Sequence, residues 1–409
     1  MINKLKGNKN VAAILIVAAL GYFVDIYDLI LFSIVRVPSL KSIGFSGDEL
    51  LSNGVLLLNM QMFGMLIGGI IWGILGDKKG RVSVLFGSIL LYSIANFING
   101  FVTNITAYAT FRFIAGVGLA GELGAGITLV SEVMSKEMRG YGTMIVATIG
   151  IFGAVAAALV GDFFEWRTAF LVGGCMGIVL LILRIGVYES GMYNAIKKSE
   201  VSKGNFLKLF SDKKMFYKYL YCIAIGVPIW FIVGVLITFS PEFSKQFGIE
   251  GQINAGTAVM FCYIGLAAGD FLSGSLSQIF KTRIKVIQGF IIFTLIMILV
   301  YLFLNRYNTF FFYTVCIMLG VAGGYWAVFV TNASEQFGTN IRATVTTTVP
   351  NFVRGAVVPA TLLFQLLSNY IGIIYSALAV GMLTVIIAYL SVKKLEETYG
   401  KDLNFLEVL

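Results

Sequence analysis

The chain has 409 residues, of which 58% are hydrophobic and only 12% charged, and its formal net charge is +9. Soluble domains are roughly 45–50% apolar, so a mean hydropathy of +0.88 means more apolar surface than a water-soluble core can hide. This excludes a soluble globular protein, and the complete lack of histidine excludes histidine relays and histidine metal sites.

Apolar stretches of span length fall near 11–36, 50–75, 82–102, 105–134, 140–161, 169–188, 217–240, 254–280, 284–304, 308–335, 342–368 and 371–392. The predicted fold class is therefore an all-α membrane protein with twelve transmembrane helices. The first stretch exceeds the core of a signal peptide and no small-residue cleavage site follows it, so it reads as a retained span. Two acids interrupt it, Asp25 and Asp28, three residues apart and hence on one helix face. The second stretch runs into the polar loop GILGDKKGRVSVL. The fourth contains Arg112, a glycine run and Glu122, and closes on Glu132. The sixth ends at Arg184, placed to reach lipid headgroups.

Between the sixth and seventh stretches lies a lysine-rich segment, Glu189–Lys218, read as a linker, so the organisation is 1–190, a linker at 191–216, and 217–409. With the N-terminus inside, nearly all loop lysines and arginines fall on the inner side; only Arg36, Lys41, Arg167, Lys245 and Arg306 fall outside. The positive-inside rule then places both termini in the cytoplasm. The net charge reports topology, and nothing points to nucleic acid. In the second half, Pro228 and Trp230, Asp270, Tyr325-Trp326, and Thr346 to Asn351 followed by Arg354 stand within apolar stretches. The four cysteines lie in apolar runs without CxxC spacing and read as small buried hydrophobes.

The two halves echo each other. Gly64, Gly68 and Gly73 recur at one offset as Gly265, Gly269 and Gly274, and Ser131-Glu132 with Arg139 recurs as Ser334-Glu335 with Arg342. Parallel repeats of six helices point to alternating access around a site near the bilayer midplane.

The loop Gly73, Asp77, Lys78, Gly80, Arg81 resembles the G-x-x-x-D-(R/K)-x-G-R signature of the major facilitator superfamily. Arg112–Gly140 resembles the fourth span of its metabolite:proton symporters and sugar porters, and Asp25-Ile26-Tyr27-Asp28 resembles the acidic pair of metabolite and phosphate:proton symporters. Leu123 departs from the phosphate symporters, and Gln278 replaces the loop acid in the second copy of the signature. The resemblance implies a fold of two six-helix bundles, and a cytoplasmic gate built from Asp77, Arg81, Glu132, Arg139, Arg283, Glu335 and Arg342.

A charge at the midplane costs a few kcal/mol even on lenient scales, about 2.5–3.5, so buried charges are functional candidates. By helical rise Asp28, Asp25 and Arg112 reach similar depths, roughly 10–16 Å from the outer face. They are expected to form one proton-coupling cluster, with Glu122 as a further station; a static salt bridge remains the alternative for the cluster. Asp270 and Arg354 are expected to pair and bind substrate together with Tyr27, Trp230, Tyr325, Trp326 and Asn351, or to form a strut without a ligand.

No nucleotide-binding G-x-x-x-x-G-K-[ST] occurs and no nucleophile–base or metal constellation appears, so neither an enzyme nor a cofactor or metal is expected. The expected function is proton-coupled uptake of a small polar metabolite, a carboxylate or zwitterion, by a multi-pass protein of a prokaryotic inner membrane. Its partners are the substrate, the proton and the lipid bilayer, and a monomer suffices. Two alternatives stay open: proton-coupled efflux of a drug or metabolite, and a nontransporting nutrient sensor, which would be expected to carry a larger cytoplasmic extension.

Overall fold

Membrane-length apolar runs with few interior charges can satisfy their backbone only as helices, and the computed structural model is built that way. It describes residues 9–46, 49–135, 138–185, 206–210, 212–249, 253–305 and 308–407. In chain order the helices are α1 (Lys9–Ser42), α2 (Glu49–Lys79), α3 (Arg81–Asn99), α4 (Ile105–Leu119), α5 (Glu122–Val133), α6 (Arg139–Phe163) and α7 (Trp166–Leu183). After a short 3₁₀ turn come α8 (Lys213–Ala224), α9 (Val227–Phe231), α10 (Ser240–Phe247), α11 (Ala255–Ile279), α12 (Ile284–Leu299), α13 (Thr309–Gly323), α14 (Trp326–Gln336), α15 (Arg342–Gly355) and α16 (Val357–Val392). Most of the expected linker, including Glu189 and Ser190, lies outside the described residues.

Eleven helical stretches among the described residues are long and apolar enough to span a bilayer. The last of them, Arg342–Val392, has 51 residues, about 75 Å at the helical rise and more than twice a hydrocarbon core. It is interrupted at Gly372, whose φ of 75° is outside any helix. Two crossings there bring the total to the twelve expected.

Three predicted spans are broken inside the membrane. The fourth stops at Ala120-Gly121, the tenth at Gly324-Tyr325, and the seventh between α8 and α9, where Pro228 opens a new helix that runs on as a π-helix over Ile232–Ile237. Glycine and proline weaken the ladder at these points and leave carbonyls for other partners.

The repeated glycines explain how the helices close up. A Cβ on Gly68 would stand 2.7 Å from Val117 Cα in α4, and one on Gly269 2.8 Å from Gly324 Cα beside α13. The third glycine of each set faces the other half of the chain: Gly73 meets Thr344 in α15 at 2.9 Å, and Gly274 meets Met144 in α6. Thus α2 packs on α15 and α6 on α11 across the chain's two halves. Cys222, Cys262 and Cys316 are buried as expected, whereas Cys175 is exposed on the outside of α7.

Past α16 the chain runs as an extended strap along the lysine-rich face. Thr339 N–H donates to Phe405 O at 2.9 Å and Thr339 Oγ1 to Leu403 O at 2.9 Å. Lys218 pairs with Glu407 at 3.2 Å. Glu397 accepts from the N–H groups of Arg283 and Ile284 at the start of α12 and from the Thr282 hydroxyl.

Candidate functional site

Three buried charge groups emerge, and they differ from the clusters expected from depth along the helices. The central one joins the two halves. Arg354 Nη2 of α15 lies 3.6 Å from Asp25 Oδ2 of α1, both side chains buried. Its guanidinium carbon sits 5.8 Å from the Trp230 ring centre and 5.6 Å from that of Trp326. The two indoles meet edge to face at 6.4 Å. Beside them is a cavity of about 20 Å³ lined by Tyr22, Ile26, Trp230, Tyr263 and Trp326 among others, room for about one water. Neither carboxylate oxygen of Asp25 has a hydrogen-bond partner, nor do Arg354 Nε and Trp326 Nε1. Buried polar groups are nearly always satisfied, so these atoms mark a candidate site.

The expected Asp270–Arg354 pair is not formed. Asp270 Oδ1 instead accepts from Ala327 N–H at 3.0 Å, capping the first turn of α14 where the tenth span restarts; a carboxylate suits that dipole end. Tyr325 does not line the cavity either: its hydroxyl donates to Ile225 O at 2.9 Å, filling a carbonyl freed by the α8–α9 break. Asn351 bridges the halves, donating to Ala120 O at 2.9 Å and to Thr347 O at 2.7 Å, while its Oδ1 accepts from Arg354 at 3.4 Å. Tyr27 points away, donating to Ala169 O at 2.9 Å within a separate aromatic cluster that includes Tyr108 and Trp166.

Within the expected Asp25–Asp28–Arg112 cluster no salt bridge forms among the described residues, although Asp28 stays within electrostatic reach of both Asp25 and Arg112. Three residues on a helix still differ by about 60° in direction, enough to send Asp25 to the interface and Asp28 toward Gly173 in α7. Arg112 hydrogen-bonds Gln61 and stacks over Phe32 at 4.7 Å. Glu122 is not a free station: it is held by both terminal nitrogens of Arg184, which also donates to Leu85 O at 2.7 Å. Arg184 is therefore 1% exposed and does not reach headgroups, because a buried acid at the α5 start claims it first.

The third group closes the lysine-rich face. Arg81 lies 3.4 Å from Asp77 and 3.0 Å from Glu132, and Arg342 3.3 Å from Glu132. Glu335 lies 3.3 Å from Arg283 and 3.9 Å from Arg139. Asp77 accepts from the N–H groups of Ala343 and Thr344, at 3.1 and 2.8 Å, and from the Thr344 hydroxyl at 2.7 Å, so it caps α15 across the interface. Gln278, the repeat partner of Asp77, abuts Gly140 at the start of α6, but its Nε2 has no partner. All seven charged residues expected at a gate lie on this face, in two ion-paired groups, Asp77–Arg81–Glu132–Arg342 and Arg139–Glu335–Arg283.

The sequence profile of the Major Facilitator Superfamily matches residues 18–358. The chain belongs to this superfamily. It is a multi-pass integral membrane protein. This superfamily member is similar to the niacin transporter NiaP of Acinetobacter baylyi, 32% identical over 43% of this chain and 40% of the relative. It is also similar to the gentisate transporter of Corynebacterium glutamicum, 28% identical over 62% of this chain and 57% of that relative. The chain thus spans about half the length of these curated relatives. Among solved structures, the proton:xylose symporter XylE bound to 6-bromo-6-deoxy-D-glucose superposes with a TM-score of 0.75 at 16% identity, over 97% of this chain and 98% of the other.

Sequence reasoning picked out Arg354, Asp25, Trp230 and Trp326 but missed Tyr22, Tyr263, Gln61 and the C-terminal strap. Tyrosines in an apolar run carry no signal of which way they face, and a strap acting through backbone carbonyls carries none at all.

Proposed function

We propose that this protein is a proton-coupled symporter that takes up a small organic monocarboxylate, with an aromatic ring as the best-fitting substituent. The carrying observation is the Asp25–Arg354 pair, set across the two halves and flanked by Trp230 and Trp326. Arginine offers a planar fork that matches a carboxylate. While Asp25 is ionised it occupies that fork. A proton on Asp25 removes the competitor, and the substrate carboxylate takes its place on Arg354 while its ring lies against the indoles. Loss of the proton on the other side restores the pair and expels the substrate. Proton and substrate then move together because either alone leaves Arg354 or Asp25 unmatched in a low-dielectric site. The names of the relatives, transporters of niacin and gentisate, both aromatic carboxylates, support this reading.

Residues 1–190 and 217–409 would be the two bodies that rock, and the network around Glu132, Arg342 and Asp77 would be the cytoplasmic gate that opens in turn. A single chain in a prokaryotic cytoplasmic membrane is sufficient for this cycle.

The test is uptake of aromatic and aliphatic carboxylates, and of their neutral amides, into proteoliposomes with and without an inward proton gradient. Accumulation of an aromatic acid, and not its amide, is expected only with the gradient. Asp25→Asn should retain exchange of the acid across the membrane while losing gradient-driven accumulation. Full accumulation by Asp25→Asn would sink the coupling role of Asp25.

A further inference from the structure

Outward of the central cavity lies a second hollow, of about 60 Å³, which shares α1, the π-helix and α11 with it and adds α2 and α16. Its polar lining comes from both halves: Ser33 and Arg36 of α1, Asn59 of α2, Thr238 beyond the π-helix, and Thr361 and Gln365 of α16. Arg36 follows Asp25 by about 16 Å along α1, and Thr361 lies in the first turns of α16, just past the end of the helix that carries Arg354. The hollow is therefore stacked directly above the Arg354 site, on the lysine-poor face.

Arg36 is the one charged residue in this lining. Its side chain lies across Gly54, with Cδ 2.6 Å from where a Cβ on Gly54 would stand, and its Nε has no hydrogen-bond partner. The acid facing it is Glu242, exposed on α10. No ion pair between the two is formed among the described residues. A partly buried guanidinium with an unused donor, open to a largely apolar hollow that takes polar groups from both halves, is arranged for an anion from outside.

We infer that this hollow is an outer anion subsite, in which Arg36 takes the carboxylate of an incoming substrate before it descends to Arg354. The inference rests on the monocarboxylate reading above. Phe32, Leu58 and Met62 supply apolar wall for the rest of the molecule. A cation at the mouth of a low-dielectric cleft raises the rate of anion capture without altering later steps. Its removal should therefore act on kcat/KM and not on kcat.

The experiment has two arms. In proteoliposomes, Arg36→Gln is expected to lower kcat/KM for benzoate uptake about tenfold, with kcat within twofold, and to flatten its dependence on ionic strength. Arg36→Lys should keep part of the effect. Unchanged kcat/KM in Arg36→Gln, or an equal loss in kcat, would overturn the subsite. The second arm needs no transport: fluorine NMR of 4-fluorobenzoate with purified Arg354→Gln protein, whose central site is disabled. Residual binding is expected there, lost in the Arg36→Gln/Arg354→Gln double variant and absent for 4-fluorobenzamide. Residual binding that persists in the double variant, or no binding in Arg354→Gln, also overturns the inference. If wild-type protein fails to take up any carboxylate, the monocarboxylate reading falls, while the fluorine signal still decides whether Arg36 binds the anion.

Discussion

At the residue scale, the Glu122–Arg184 pair shows how burial converts a charge into an obligation. Both side chains are 1% exposed and the guanidinium also serves Leu85 O. Removing one partner of such a pair leaves the other charged and dry, at about 3–5 kcal/mol. Glu122→Gln is therefore expected to lower the thermal stability of the purified protein markedly, and Glu122→Leu/Arg184→Leu to recover most of it. Proton-coupled uptake by the double variant should survive. Loss of coupling in a double variant of normal stability would instead restore Glu122 as a proton station.

At the element scale, the helix ends bear on the proposed gate. Asp77 caps α15 with three bonds, whereas Gln278, at the matching end of α6, offers an amide without a partner. Gln278→Asp should create the missing cap, worth about 1 kcal/mol, and hold the lysine-rich face closed. The expected readout is a several-fold fall in turnover together with reduced labelling of cysteines placed behind the gate. Asp77→Asn should do the reverse. Equal labelling in all three proteins would remove the caps from the gating account.

The strap after α16 gives a pH prediction at the same scale. Glu397 is half-buried, which on its own would raise its pKa, but hydrogen bonds from Thr282 and from the N–H groups of Arg283, Tyr399 and Ile284 outweigh burial and hold it below the ordinary value. A depressed carboxyl contributes stability that is fully present above its unfolded pKa, about 4.3, and that is lost as pH falls through the folded value. A spin label at position 401 should stay immobile at neutral pH and gain mobility only below that range. Glu397→Gln should be mobile already at pH 7.

At the scale of the whole molecule, the structure is sealed on the lysine-rich face by the charge network and keeps its larger interfacial hollow on the other. If one proton on Asp25 travels with one carboxylate on Arg354, each cycle moves no net charge. Uptake should respond to a pH gradient and be indifferent to a potassium-diffusion potential of either sign. Accumulation driven by the potential alone would require a second proton or another cation.

Much of this was legible in the sequence, for a plain reason. Membrane solvation acts on local composition, so span positions and the all-helical class follow from residues near one another in the chain, as does the loop motif with Asp77 and Arg81. The repeated glycines likewise announced close helix contacts, since only glycine lets backbones approach as Gly68 and Val117 do. The partners of the buried charges were not legible. Depth along a helix ranks Asp25, Asp28 and Arg112 together, but direction around the helix and the packing of α1 on its neighbours sent Asp25 to Arg354 and Arg112 to Gln61. Helix breaks created acceptors and donors, such as Ala120 O and Ala327 N–H, that captured Asn351 and Asp270. By itself, then, the sequence determined that this chain is an all-helical, twelve-span membrane protein with buried acids. Tertiary structure alone decided which acid faces which arginine, because an ion pair is a relation between helices far apart in the chain, and no local spacing encodes it.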